Sequence, residues 1–201
     1  MRLFVAAYPP APARAHLAAA VAGLAVGRAA AQGVNARLAD AAHWHLTLAF
    51  LGDVPDARGG DAAAALAAGV AAARDPHPGD PPPDGGPPAR GPRLWLGGGG
   101  RFGRGRFTVL WVGVGGETQA VTGLAASVRR ELRRARLPYD GKPFRPHLTL
   151  ARPGDRVDVT GDLAALASYR GPEWTLDELC LVRSHLGPRP AYDRIATVAL
   201  G

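Results

Sequence analysis

The 201-residue chain has one cysteine, one lysine and one methionine. The lone Cys180 excludes an internal disulfide and any zinc site built on several thiolates. Because it lies in an apolar, strand-like stretch, it reads as a buried, inert thiol rather than a nucleophile. No run approaches the ~18 continuous apolar residues that a membrane-spanning helix needs. The opening Met1-Arg2-Leu3-Phe4-Val5 reads directly into a strand, which leaves no room for a signal peptide and predicts a cytoplasmic protein. With Lys142 the only lysine, the formal charge of +7 is carried almost wholly by arginine. That balance suits polyanionic partners, nucleic acid above all. A GC-rich coding bias raises Ala, Arg, Gly and Pro together, however, so charge alone barely moves the odds.

What is present is a globular composition, with 47% apolar and 20% charged residues. The length fits one moderately large domain or two small lobes sharing an interface. Residues 2–8 predict a first strand that Pro9-Pro10 ends. An alanine-rich helix is expected from Pro12 to about Ala31, where Leu17, Val21 and Leu24 recur at helical spacing. A compact strand follows from His45 to Gly52, then a second alanine-rich helix from Asp61 to Arg74. Residues 75–92 are rich in Pro and Gly, carry no hydrophobic pattern and predict a flexible surface loop. Strands at Arg93–Leu96 and Phe107–Val114 are expected on either side of a GGGGRFGRGR connection. The clearest helix is 117–136, whose Val121, Leu124, Ala125, Val128 and Leu132 form one buried stripe. Arg129, Arg130, Arg133, Arg134 and Arg136 lie mostly off that stripe; a solvated face explains them at least as well as RNA phosphates do. A strand from His147 to Arg152, a short helix near 161–169 and strands near 173–184 and 191–199 complete the chain. The order lacks the alternation of a doubly wound parallel sheet. The glycine run 97–100 opens no helix and is no nucleotide-binding fingerprint.

The informative feature is an internal repeat. His45-Leu46-Thr47-Leu48-Ala49 recurs as His147-Leu148-Thr149-Leu150-Ala151, 102 residues later. Side chains at i and i+2 of a strand share a face, so each His is beside its Thr while the leucines point into a core. Two such strands facing each other across a cleft would bring two imidazoles and two hydroxyls together. Two converging imidazoles suit phosphodiester hydrolysis without a metal. A neutral imidazole removes a proton from water and a protonated one donates to the leaving oxygen, both near an unperturbed pKa of about 6.5. Hydroxyls donate to the non-bridging oxygens as charge accumulates. A single His-x-Thr on an apolar strand is more often a satisfied, half-buried pair. Burying an ionisable residue twice, with the same threonine each time, is a poor choice for packing alone.

These motifs make the chain resemble the two-histidine (2H) phosphoesterases, and among them the RNA 2′,3′-cyclic phosphodiesterases, also called 2′-5′ RNA ligases. The likeness spans Arg2-Leu3-Phe4-Val5-Ala6, the first motif through Val54, Leu110 to Val114, Phe144 to Arg152, and Leu181 to Leu186 with Tyr192. His43 and Trp44 replace a commoner Asn-Leu type of lead-in. The resemblance implies an α+β, bilobal fold, with a pseudo-twofold pair of antiparallel sheets and flanking helices around a central cleft, over a single domain of residues 1–201. It also implies hydrolysis of a terminal 2′,3′-cyclic phosphate to a 2′-phosphate, with His45 as proton donor and His147 as acceptor. RNA ends or nucleotides bearing that cyclic phosphate are the expected partners. No metal, cofactor, membrane or oligomer is expected.

Beyond the four motif residues, Arg152 ends the second motif strand. Parity puts it on the opposite face, but a strand end can twist it into the cleft, where its planar fork and the resemblance favour a phosphate contact. Arg145 shares His147's face, with a surface role as well supported as a phosphate one. His43 shares a face with His45, but a zinc site usually needs three protein ligands and no further candidate lies near in sequence. Core packing is the better reading of Trp44 and Phe50 than base stacking. His16, His77 and His185 carry no motif and read as surface or structural; Ser184 and Tyr192 are candidate cleft residues only. Two other readings share these residues: reversible 2′-5′ ligation or cleavage of a small cyclic nucleotide, and, in another class, a non-catalytic module that captures RNA ends. Both intact motifs argue against the last, because a retired enzyme has no chemical need for all four residues.

Overall fold

The computed structural model describes residues 1–74, 91–185, 187 and 191–201. The expected 75–92 loop and His77 therefore fall almost wholly outside the described residues. Among the described residues, thirteen strands and α-helices follow in order. They are β1 (Arg2–Ala7), α1 (Ala11–Ala22), α2 (Ala25–Ala31), β2 (Leu46–Asp53), α3 (Gly59–Arg74), β3 (Arg93–Phe102) and β4 (Val109–Gly116). Then come α4 (Thr118–Arg134), β5 (His147–Ala151), α5 (Thr160–Ala167), β6 (Trp174–Thr175), β7 (Glu178–His185) and β8 (Ala191–Ala199). The strands form two four-stranded sheets, in the orders β2-β1-β7-β8 and β5-β4-β3-β6. Every strand pairing is antiparallel. Each motif strand is thus the first strand of its sheet, beside the strand that precedes it in sequence, and the two sheets are pseudo-twofold copies of one β-α-β plan.

The helices exchange sides. The chain leaves the first sheet at β1, yet α1 packs on β3 of the second; it leaves the second at β4, yet α4 packs on β2 of the first. α3 lies against α4 and touches β7 and β8, while α5 packs on β3 and α2. The core between sheets and helices follows the predicted alternation: Leu46, Leu48, Leu148 and Leu150 are all buried on the helix side of their strands. Each contributes about 1.5–3 kcal/mol of transfer free energy. The α4 stripe, Val121, Leu124, Ala125, Val128 and Leu132, is buried as its spacing requires.

Three expectations are corrected. The helix expected over 12–31 is two, because the Asp162 carboxylate in the first turn of α5 accepts hydrogen bonds from Ala25 N at 2.6 Å and Val26 N at 3.1 Å. That carboxylate satisfies the orphan donors of a new helix start. The expected 97–106 connection is mostly strand. β3 continues to Phe102, with its register shifted between Leu96 and Gly99, where Gly98 takes φ +67°. Glycine is the residue that adopts such a φ without cost. The strand expected over 173–184 is divided, since Trp174–Thr175 pairs with β3 and Glu178–His185 pairs with β1. The chain crosses from one sheet to the other at Leu176-Asp177.

Candidate active site

The two motif strands lie side by side, and each is covered along its outer edge by the segment leading into the other. Ala39 N donates to Leu150 O of β5 at 2.8 Å, and Arg152 N to Arg37 O at 3.1 Å. On β2, Asp140 N donates to Phe50 O at 2.8 Å and Arg129 Nε to Leu48 O at 2.9 Å. Neither edge is left to pair with another chain.

Both histidines are held by the same device. The His45 Nδ1 lies 2.7 Å from His43 O, and the His147 Nδ1 lies 2.6 Å from Arg145 O. A carbonyl only accepts, so each Nδ1 carries the proton and donates it. Each Nε2 is then the nitrogen left for chemistry, a lone-pair acceptor in the neutral ring and a donor in the charged one. Each of these histidines stands at the start of its motif strand, which begins at Leu46 and at His147.

Thr47 and Thr149 are half-buried on the cleft face, opposite Ala6 and Trp111 respectively. Among the described residues neither hydroxyl is engaged, so both can donate to a ligand oxygen. Arg145 lies in the irregular segment before β5, with its carbonyl engaging His147 and its side chain exposed. Arg152 follows the end of β5 and is likewise exposed. Among the described residues neither guanidinium is in an ion pair, and both flank the motif strand.

The surroundings of the two histidines differ. The His45 ring stacks on Phe4, with centroids 4.8 Å apart at 29°. Tyr192 meets it edge-on at 5.6 Å and Tyr8 tilts against it at 5.8 Å. Burial lowers the His45 pKa; the hydrogen bond to His43 O opposes that shift, and the nearby charges of His43 and His147 add to it. His147 is met edge-on by Phe102 at 4.9 Å and by Trp111 at 6.0 Å. Trp111 itself lies flat on glycine: a Cβ on Gly100 would stand 2.2 Å from Trp111 Cζ2.

The remaining candidates sort plainly. His43 sits in a short 3-10 turn, Ala41–His43, with its ring edge-on to Tyr192 at 5.0 Å. Among the described residues no three His, Cys, Asp or Glu side chains cluster as metal ligands do. Trp44 is buried in the core, and Phe50 lies under the Arg2 guanidinium, 4.9 Å from its centroid. His185 pairs with Asp193 at 2.6 Å and His16 with the Tyr169 hydroxyl at 2.9 Å, both at the surface. Cys180 is fully buried, and burial pushes its thiol pKa up, away from nucleophile chemistry. The aromatic walls Phe4, Tyr8, Phe102 and Trp111 went unpredicted. Phe4 within β1 and Tyr8 just past its end are four positions apart and so of one parity, which is a usable signal; Trp111 enters only through its register with Thr149.

Two pseudo-symmetric antiparallel sheets, each contributing a His-x-Thr strand to one cleft, are the architecture of the two-histidine phosphoesterases. A family model for the 2′-5′ RNA ligase superfamily matches residues 5–188, and the chain belongs to that superfamily. A relative from Geobacillus stearothermophilus, named RNA 2′,3′-cyclic phosphodiesterase, is 31% identical over 160 residues, covering 78% of this chain. The match takes in 45% of that relative, so the chain spans under half its length. A crystal structure of a Thermus thermophilus protein matches over 100% of this chain and 98% of its own, at TM-score 0.67 and 30% identity. E. coli LigT, crystallised with 3′-AMP, matches over 99% of this chain and 97% of its own, at TM-score 0.66 and 23% identity, a likeness of fold. No helix among the described residues is long and apolar enough to cross a membrane.

Proposed function

We propose that the chain is an RNA 2′,3′-cyclic phosphodiesterase that opens a terminal 2′,3′-cyclic phosphate to a 2′-phosphate with His45 and His147 as its acid–base pair. The observation that carries this reading is the matched anchoring of the two imidazoles. Each Nδ1 is committed to a backbone carbonyl, which leaves two Nε2 atoms, one from each sheet, for proton transfer. His147 Nε2 takes a proton from the attacking water as the water oxygen bonds to phosphorus. The bond from phosphorus to O3′ breaks, and His45 Nε2 delivers its proton to that oxygen. Thr47 and Thr149 donate to the non-bridging oxygens, and Arg145 and Arg152 offset the phosphate charge from the flank of the strand.

The lowered pKa suits a donor once substrate is counted. Burial of His45 makes it a stronger acid in the free protein. The bound phosphodiester anion restores its proton by an opposite charge at close range. The relatives' names, a cyclic phosphodiesterase and a protein crystallised with 3′-AMP, agree with a nucleotide-end substrate.

The test is product identity from an oligoribonucleotide ending in a defined 2′,3′-cyclic phosphate, assayed in excess chelator. A 2′-phosphate product with chelator present is expected. A 3′-phosphate would reverse the substrate between the two motifs, and loss of turnover on chelation would place a metal in the reaction. Absence of turnover with tight capture of the RNA end would favour a binding module.

A further inference from the structure

We propose that the arginine face of α4, together with the turn at 139–144, forms a second subsite that takes the phosphodiester backbone of single-stranded RNA on the 5′ side of the reacting end. This rests on the RNA-end reading above and extends it from the terminal nucleotide to the strand behind it. A groove of about 510 Å³ runs there, lined by Arg129, Arg130 and Arg133 with Tyr139 and Phe144. The three arginines sit on one helix face. Arg129 and Arg133, one turn apart, are separated by ~6 Å along the axis. That spacing lets them reach successive phosphates rather than crowd onto one.

The charge of Arg129 and Arg133 is not spent within the protein, whereas Arg130 shares Glu131 with Arg134. Arg129 donates to the carbonyls of Leu48 and Lys142, both at 2.9 Å, and lies over the Phe144 ring. Arg133 donates to the Tyr139 hydroxyl at 2.5 Å and lies over that ring. Carbonyls, a phenol and aromatic faces orient a guanidinium without neutralising it. Among the described residues neither arginine has a carboxylate partner. Asp140 beside the groove is taken by Lys142 Nζ at 3.1 Å. Glu131 is taken chiefly by Arg134 at 2.8 Å, with Arg130 at 3.5 Å. A cation fixed by neutral groups and stacked on a ring keeps its remaining N–H edge for an incoming oxyanion.

The groove reaches the edge of β2 through Arg129, and Phe144 places it on the segment leading into β5. Arg129 holds the Leu48 carbonyl of β2, between Thr47 and Ala49. Phe144 precedes His147 by three residues, which limits their Cα separation to ~11 Å. A strand leaving the cleft past this turn meets the arginines next. Polyanion binding of this kind carries the salt dependence of released counterions, with a slope near 0.7 per phosphate for single strands.

The experiment compares wild type with the double variant Arg130→Gln/Arg133→Gln, which leaves Arg129 and its bonds to the motif strand in place. Fluorescence anisotropy with a labelled 12-nucleotide RNA ending in an unreactive 2′,3′-diol measures capture without chemistry. Steady-state kinetics on a cyclic-phosphate-terminated 12-mer and on a nucleoside 2′,3′-cyclic monophosphate measure its consequence. The double variant is expected to bind the diol RNA about 10-fold more weakly, with the salt slope reduced by ~1.4. KM should rise about as much for the 12-mer, with mononucleotide turnover unchanged. The Arg130→Lys/Arg133→Lys pair should restore most of the slope, because charge rather than fold is at issue. Unchanged affinity and slope in the glutamine variant overturn the proposal. So does an equal loss on both substrates, or a lysine pair as weak as the glutamine pair. If wild type turns over neither substrate, the RNA-end reading fails by itself, and the anisotropy arm still decides whether this face binds RNA.

Discussion

His45 and His147 occupy the same position of the same pentapeptide, make the same Nδ1 bond to the carbonyl two residues back, and yet sit in different solvents. The His45 ring is walled by Phe4, Tyr8 and Tyr192, contributed by β1, its continuation and β8. The His147 ring has Phe102 and Trp111, from β3 and β4. Local geometry is therefore a property of the repeat, and acidity a property of what each sheet lays over it. Duplicating a strand yields two equivalent imidazoles. Neighbours from outside the repeat can make one a better donor than the other, and such a difference separates the roles of acid and base.

The largest expected effect tests whether the two positions act as one unit. His45→Ala and His147→Ala should each reduce turnover at least ~100-fold, the usual cost of a lost general acid or base. The double variant should be little worse than the poorer single one, because neither partner works alone. Steady-state rates, with circular dichroism to establish folding, decide it. Near-wild-type activity in either folded variant breaks the pairing.

A sharper test bears on the inequality itself. With His45 lowered by burial, its protonated form is lost early as pH rises, so the basic limb of kcat/KM falls at lower pH than an unperturbed imidazole gives. Substrate charge opposes the shift in the complex, so the basic limb of kcat should lie higher than that of kcat/KM. Tyr192→Ala opens one side of the His45 ring, relieves the burial, and should move the kcat/KM basic limb upward. The limbs belong to the coupled pair, so displacement on substitution carries the information rather than absolute position. A limb unmoved by opening the pocket would show that the walls do not set the acidity.

Smaller effects follow from the threonines. Thr47→Val and Thr149→Val each remove one hydroxyl donor while keeping shape, and should each cost about 10-fold in kcat, the equivalent of ~1–1.5 kcal/mol for one hydrogen bond. If one costs much more than the other, the oxyanion leans toward that sheet. The smallest expected change in activity belongs to Gly100→Ala, which touches the second sheet alone. Its Cβ would collide with the Trp111 ring, displacing the wall of His147. A stability loss of about 1–3 kcal/mol is expected from overpacking, read as a lower denaturation midpoint with altered tryptophan fluorescence.

Much of this was legible without coordinates, and the limits have physical causes. The α4 stripe, the two motif strands and their inward leucines follow from periodicity, because burial of one face is a local demand on spacing. The break between α1 and α2 was not legible. The residue that makes it, Asp162, lies far along the chain and acts by a carboxylate on two backbone donors. The strand character of Gly97–Gly100 was hidden for a similar reason. Glycines read as a connection until Leu166 is seen to need the space Gly99 leaves and the Trp111 ring the space Gly100 leaves.

By itself, then, the amino-acid order determined which residues are repeated, which face of each motif strand is polar, and which chemistry two histidines and two threonines can share. These are consequences of alternation along a strand and of side-chain pKa, and neither requires knowing where the strands go. Tertiary structure alone decided that the two strands head matching sheets and lie side by side. It decided as well that phenylalanine and tyrosines crowd His45 while a phenylalanine and a tryptophan flank His147. Those outcomes depend on pairing register and on contacts between residues from 36 positions apart, as for Trp111 and His147, to 147 apart, as for His45 and Tyr192. No local pattern encodes such contacts, because their free energy is realised only when both partners have already been brought together.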